Sequence, residues 1–258
     1  MPELEAAAVW MPTLLLVTVR VAGMVAFAPA FGHSAVPARV RVIVGAAMAL
    51  AAVGRLARPV ALPAGWFDLA TGLGGELLIG AAIGYTGRLI FTGIELGAFH
   101  VSSQMGLSLA EVINPLAADA PAAVRGLFRL VAVVVFLAVG GHRALIRGLL
   151  ETFDVLPPLG FAAPGGLLDV ATGCLGASFV LALRVAAPVL VAMLLATVAL
   201  GLLHRTVPQC NLLTTGLPIR VMLGLVVMAA SLGAMAPLLE TAATQLGRTL
   251  RLLTAAAG

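Results

Sequence analysis

The sequence predicts an all-α membrane protein, and three observations carry that reading. Apolar residues make up 61% of the 258 and charged residues 10%, against roughly 45–50% and about 25% in soluble globular domains. The mean hydropathy is +1.12, far more oil than one water-facing surface hides. The apolar residues also gather into blocks at 6–31, 40–54, 69–99, 127–142, 170–203 and 217–239, separated by proline-rich connections. None of these blocks alternates apolar with polar, as a membrane barrel strand must, and lipid admits only helices or closed barrels. About six hydrophobic helical segments are expected, some broken or hairpin-like, in a single integral membrane domain over 1–258. A soluble enzyme is excluded.

The blocks are uneven. The first follows Met1-Pro2-Glu3-Leu4-Glu5, acidic where a secretory signal is basic, and reads as a span. Uncharged stretches at 42–54 and 130–142 lie between flanking arginines and reach only about 20 Å at 1.5 Å per residue, short of a roughly 30 Å hydrocarbon layer. Block 69–99 has the opposite problem, reaching about 46 Å if unbroken, with Glu76, Arg88 and Glu95 inside it. The stretches 185–203 and 221–239 have span length and no charge.

The net charge of +4 comes from fifteen arginines and no lysine, a bias that GC-rich coding also produces. The arginines are spread along the chain without a basic patch or interleaved aromatics, so nucleic acid is not an expected partner. With six segments, Arg39, Arg41, Arg125, Arg129, Arg205 and Arg220 fall on one side and Arg55, Arg58, Arg143, Arg147, Arg248 and Arg251 on the other. The arginine asymmetry that normally orients a membrane protein is missing. Either the boundaries are off by a few residues, or the helices are enclosed by other subunits.

An ionised side chain at the bilayer centre costs about 2.5–3.5 kcal/mol on insertion scales and faces a partner or a wet cavity. Arg88 and Glu95, seven apart, share a helical face but lie about 10 Å apart in rise, too far to pair directly. Buried inter-helix ion pairs and an ion or proton pathway both remain open. The same block is dense in glycine, and Gly80-Ala-Ala-Ile-Gly84 and Gly93-Ile-Glu-Leu-Gly97 have the small-xxx-small spacing of close helix packing. After it, Gln104-Met-Gly-Leu-Ser-Leu-Ala-Glu-Val-Ile-Asn-Pro115 reads as an apolar, irregular loop, because proline disfavours helix in the residue before it. It is either a plug in a conduit or an ordinary surface connection.

Catalysis has little support. His33, His100, His142 and His204 fall in different segments without metal-ligand spacing, and no nucleophile elbow or P-loop is present. Cys174 and Cys210 are too few for a disulfide framework and read as packing residues. No cofactor is expected. An intramembrane enzyme would have to rest on Ser178 or His142.

Several strings together resemble one family, that of FliR and its relatives in type III secretion export. They are Arg20-Val-Ala-Gly-Met-Val-Ala-Phe-Ala-Pro29 with Ala-Phe-Gly32 and Val36-Pro-Ala-Arg39-Val-Arg41; Glu76-Leu-Leu-Ile-Gly80, Glu95 and Gln104-Met-Gly-Leu107; and Gly201-Leu-Leu-His-Arg205-Thr-Val-Pro208-Gln209-Cys-Asn211 with Pro218. Many relatives carry Gln-Met-Asn where this chain has Gln209-Cys210-Asn211, which leaves Gln209 and Asn211 matched and position 210 without an assigned role.

The resemblance implies a non-enzymatic subunit of an export gate in the bacterial inner membrane, at the flagellar basal body. The expected partners are FliP, FliQ and FlhB homologues, membrane lipid, and the exported rod, hook and filament proteins. It also implies a FliP-like part at about 1–165 and a FliQ-like hairpin at about 166–258, partly raised out of the membrane plane. The segment matching the family's plug is 107–121, so Gln104, Met105, Gly106, Leu107, Leu109, Val112, Ile113, Asn114 and Pro115 are the expected gate. Arg20, Glu76, Gly80, Gly84, Arg88, Glu95, Arg205, Pro208, Gln209 and Asn211 are the expected inter-helix or inter-subunit contacts. The equivalent subunit of a virulence secretion system shares this chemistry. A stand-alone transporter is the alternative of another class, and it predicts inverted internal repeats, which the sequence does not show.

Overall fold

A computed structural model describes residues 2–29, 37–56, 58–107, 119–160, 167–206 and 216–257. All the regular structure in them is helical. Seven helices are described: α1 (Pro2–Phe27), α2 (Ala38–Val53), α3 (Trp66–Gln104), α4 (Asp119–Val139), α5 (Gly141–Val155), α6 (Leu167–Thr206) and α7 (Leu217–Ala257). Five of these helices are long and apolar enough to cross a membrane, which makes the chain an all-α membrane protein of many passes. The two that fall short are α2 and α5.

Three differences from the sequence expectation stand out. Block 127–142 is not a short piece from 130 to 142: α4 begins at Asp119, takes Arg125 and Arg129 into the helix, and has a span-length apolar stretch at Ala122–Val139. Residues 143–155, expected as connection, form most of α5, whose buried side is Leu145, Leu149, Thr152 and Phe153 at helical spacing. Its start is a corner made by Gly140 in the left-handed region, φ 81°, a conformation glycine adopts without steric cost. Finally, α3, α6 and α7 are continuous over 39, 40 and 41 residues, about 60 Å each, roughly twice the hydrocarbon thickness.

The chain forms two compact units, 1–89 with 140–175 and 243–258, and 90–139 with 176–242. The halves expected from the resemblance are a statement about kinship, and each unit draws residues from both.

In the first unit α1 buries Leu16, Val17, Arg20, Val21 and Met24 along one stripe. α2 packs on α1, with Gly45 against Val21 and Met48, Ala49 and Ala52 buried. α3 approaches α1 until the backbones touch. A Cβ on Gly80 would overlap the carbonyl oxygen of Arg20, one on Gly84 would lie 2.5 Å from that of Met24, and one on Gly23 would lie 2.5 Å from that of Leu77. Positions 20 and 24 thus face 80 and 84 in the same order, so α1 and α3 run parallel. Only hydrogen fits between them, which is the packing that small-xxx-small spacing permits.

In the second unit the later part of α3 repeats the device. A Cβ on Gly93 would lie 2.5 Å from the Ser178 carbonyl oxygen, and one on Gly97 would lie 2.8 Å from that of Ala182 and 3.3 Å from Val185. α6 is therefore also parallel to α3. α3 buries Phe91, Ile94, Ala98 and Val101, and α4 buries Phe128, Ala132 and Phe136. The Phe91 and Phe136 rings meet edge to face at 5.2 Å, within the favourable range for aromatic pairs.

The glycines yield a contrast that can be measured. Gly80→Ala forces α1 and α3 apart and is expected to cost about 1–3 kcal/mol, lowering the thermal unfolding midpoint in detergent. Gly74→Ala, on the same helix with open space around it, is expected to leave the midpoint unchanged or raise it, since alanine is the better helix former by about 0.5–1 kcal/mol. Equal effects would show that backbone contact does not decide the packing.

Candidate functional site

Two constellations gather the residues singled out from the sequence, one in each unit. In the first, Arg20 and Glu76 are fully buried and paired. The Arg20 Nε donates to Glu76 Oε2 at 2.6 Å and Nη2 to Oε1 at 3.1 Å, a bidentate fork on a carboxylate. Nη1 donates to Thr152 Oγ1 at 3.3 Å and to the Leu156 carbonyl at 3.1 Å, and the guanidinium lies 4.2 Å over the centre of the Phe153 ring. The Leu159 amide donates to Glu76 Oε1 at 2.9 Å. One guanidinium and one carboxylate thereby join α1, α3, α5 and the turn after α5.

The turn is built for this. Leu159 has φ 69°, an uncommon conformation for a branched residue, of the kind that persists only when its surroundings over-determine it. Its amide is held by Glu76, and its side chain lies over Gly72, where any Cβ would collide with it. Leaving one member of such a pair buried alone costs about 3–5 kcal/mol, whereas replacing both by apolar groups is often close to neutral.

Arg88 and Glu95, the other charges inside this long block, are both exposed. Sequence reasoning looked for partners to Arg88 and Glu95 on other helices or chains, and among the described residues the partner of Glu76 is Arg20 of this chain. Gly80 and Gly84 sit at the α1–α3 contact next to that pair. Arg205 is exposed near the end of α6, and Pro208, Gln209 and Asn211 lie outside the described residues.

The second constellation is the start of the expected plug. α3 ends with the Met105 amide on the Val101 carbonyl and the Gly106 amide on that of Ser103, both at 3.0 Å. Gly106 has φ 81°, the left-handed residue that commonly terminates a helix. Met105 is fully buried, and its side chain lies over Gly224 of α7, while Leu217 lies against Gly106. Leu217 and Gly224 are seven apart, on one face of α7, and clasp these two residues. Gln104 is exposed and Leu107 half-buried; Leu109, Val112, Ile113, Asn114 and Pro115 lie outside the described residues.

The sequence reading missed Thr152, Phe153, Leu159, Gly23, Leu217 and Gly224. Thr152 and Phe153 had a signal, the spacing of Leu145, Leu149 and Phe153. Leu159 had none beyond its place after Pro157-Pro158. Neither constellation offers reaction chemistry. Ser178 is buried at the contact with Gly93, His142 has a buried ring nitrogen without a partner, and no cluster of metal-ligating residues occurs among the described residues.

Residues 11–246 match the model of a family described as bacterial export proteins, family 1. The chain is 28% identical over 237 residues to the flagellar biosynthetic protein FliR of Escherichia coli (strain K12), which covers 90% of this chain and 88% of that one. It is 30% identical over 228 residues to the FliR of Caulobacter vibrioides, covering 86% and 88%. A third relative is the Yop proteins translocation protein T of Yersinia pestis, 27% identical over 157 residues, 60% of each chain.

The buried pair is open to a double-mutant cycle. Arg20→Leu and Glu76→Leu are each expected to destabilise by about 3–5 kcal/mol, and the double variant by much less than their sum, read as unfolding in detergent and as protein level in membranes. Strict additivity would show that the two side chains do not interact. Gly106→Val is expected to destabilise by about 1–3 kcal/mol, since the left-handed conformation excludes a branched side chain and Leu217 occupies the space. Retention of the parent unfolding midpoint would count against this helix end.

Proposed function

The chain belongs to family 1 of the bacterial export proteins, the family of FliR, and on that basis we propose that it is a subunit of the flagellar protein export gate. The observation that supports the flagellar reading is that the Escherichia coli and Caulobacter proteins, which align with 86–90% of the chain, are flagellar by name. In this reading it sits in the inner membrane, works without enzymatic chemistry, and builds the export conduit with FliP and FliQ homologues, with an FlhB homologue at the entrance and rod, hook and filament proteins as cargo.

The geometry supports a division of labour. The buried Arg20–Glu76 knot makes α1, α3 and α5 a rigid scaffold, since none of its parts moves without unpairing a buried charge. The α3 end is the opposite kind of element, a glycine-terminated helix leading directly into the loop that matches the family's plug. With Met105 and Gly106 held by α7, that loop is tethered at its start, and a plug needs to yield to cargo without leaving. Glycine-mediated contacts let helix backbones approach closely, which suits a wall that has to hold a seal.

Deletion of the gene is expected to abolish motility and the release of hook and filament proteins, with restoration by the parent gene. Loss of effector release with motility intact would assign the chain to a virulence secretion system instead. Purification in gentle detergent is expected to bring FliP and FliQ homologues with it. Shortening the loop between positions 109 and 114 is expected to raise small-ion leakage through the reconstituted complex, and an unchanged leak would remove the seal from that loop.

A further inference from the structure

We propose that Pro188 of α6 and Pro237 of α7 form a paired hinge whose bending opens and closes the clasp on Met105 and Gly106. What this does to the gate rests on the export reading; the hinge itself does not. Both prolines stand inside long continuous helices. Proline has no N–H to donate and its ring crowds the carbonyl four residues back, which weakens and bends a helix at that point. In α6 the carbonyl that loses its amide donor is that of Arg184, and in α7 it is that of Gly233. Gly233 adds to the effect, since the space around it is open and glycine is a poor helix former. Both prolines are exposed, so neither ring is locked into the core.

The two weak points coincide in height. The Cys174 and Thr249 side chains are hydrogen-bonded. Cys174 lies about 48 Å from the end of α6 and Thr249 about 48 Å from the start of α7, so only an antiparallel pair lets residues 207–216 join the two helices. Counted from those joined ends at 1.5 Å per residue, Pro188 lies about 27 Å back along α6 and Pro237 about 30 Å along α7. The prolines are therefore within one turn of the same level. Two bends at one level let the joined end of the pair swing as a unit, whereas a single bend would be held by its straight neighbour.

The contacts divide at the hinge. Before it, α6 is fixed to α3, with Ser178, Ala182 and Val185 against Gly93 and Gly97. Beyond it, toward the joined ends, α7 holds the start of the loop, with Leu217 on Gly106 and Gly224 under Met105. Packing thins in that direction, and among the described side chains of α6 from 197 to 205 none is buried. The larger buried side chains beyond the hinge are Val189, Met193, Met228 and Met235; methionine refits irregular gaps. A swing at the prolines therefore leaves the α3–α6 contact in place and carries Leu217 and Gly224 off the end of α3. Hinges of this kind are a few positions that absorb the change and lie away from the site they serve.

The test is pulsed electron resonance between spin labels on cysteines at positions 99 and 222, both exposed, with Cys174→Ser and Cys210→Ser, in the protein purified into nanodiscs with the subunits that accompany it. Two distances or one broad distribution are expected, narrowing to a single distance when Pro188→Ala and Pro237→Ala are added. A single narrow distance before that change, or the same spread after it, would overturn the hinge whatever the chain exports. Release of hook and filament proteins is the second measurement, expected to fall about tenfold in the double proline variant at the parent level of protein in membranes. Unaltered release with narrowed distances would break the link to the gate. Where deletion of the gene leaves release intact, the export reading fails and the distances alone decide the hinge. Should the double proline variant fail to accumulate, Met105→Cys with Gly224→Cys takes its place, since these positions are close enough to bond. Oxidation locks the clasp and is expected to stop release, with recovery on reduction; release by the fully cross-linked protein would overturn the proposal.

Discussion

Everything in the first unit is arranged around a charge that has nowhere else to go. Arg20 is on the buried face of α1 between Val17, Val21 and Met24, where an isolated guanidinium would be costly. It is tolerated because Glu76 supplies both carboxylate oxygens, Thr152 a hydroxyl, Leu156 a carbonyl and Phe153 a π face. The requirement fixes more than two side chains. The carboxylate must come from α3 at the height of Arg20, α5 must lie alongside to present Thr152 and Phe153, and the turn after it must adopt the unusual Leu159 conformation to reach Glu76. A buried pair of this kind is weak evidence of extra stability. Its contribution here is to leave one arrangement of three helices with all charges satisfied.

The glycines of α3 complete that constraint. Arg20 presents its side chain to Glu76 and its backbone carbonyl to Gly80, so the ion pair and the close approach are one contact seen from two atoms of the same residue. Bringing α1 and α3 to backbone distance brings the guanidinium within reach of a short acidic side chain, and the pair in turn sets the register at which the glycines meet. α3 then uses Gly93 and Gly97 against α6 within the second unit. A helix of about 60 Å with glycine contacts at two heights is suited to joining other helices, which fits a family whose members act in protein export.

The gate end of α3 follows a different logic. Packing there depends on Met105, an unbranched and polarisable side chain suited to irregular gaps, against Gly224, and on a single left-handed glycine. The buried Ser102 hydroxyl is satisfied within α3 by the Phe99 carbonyl, so among the described residues the contacts of Met105 and Gly106 with α7 are apolar. In the proposed function, rigidity belongs to the ion-paired helices and compliance to the methionine–glycine clasp.

The sequence by itself determined the membrane class, the helical content, the unusual length of α3 and the two glycine motifs, because each is a local property of composition or spacing. It also marked Arg20 and Glu76 through the family resemblance, and Met105 and Gly106 as the entry to the loop. It did not determine that Arg20 and Glu76 are partners, since they are 56 positions apart and no periodicity links α1 to α3. Nor did it reveal that α4 runs back through Arg125 and Arg129 to Asp119, where charges near a helix end looked like a boundary. Thr152, Phe153 and Leu159 became functional neighbours of the pair only because α5 and the turn after it pack beside α1 and α3 within the first unit. Hydrophobic spacing is written within each helix and survives in the sequence. Which helices meet, at what height and in which direction is decided by long-range contacts between backbones and by the need of a buried charge to find its counterpart, and only the tertiary structure records that.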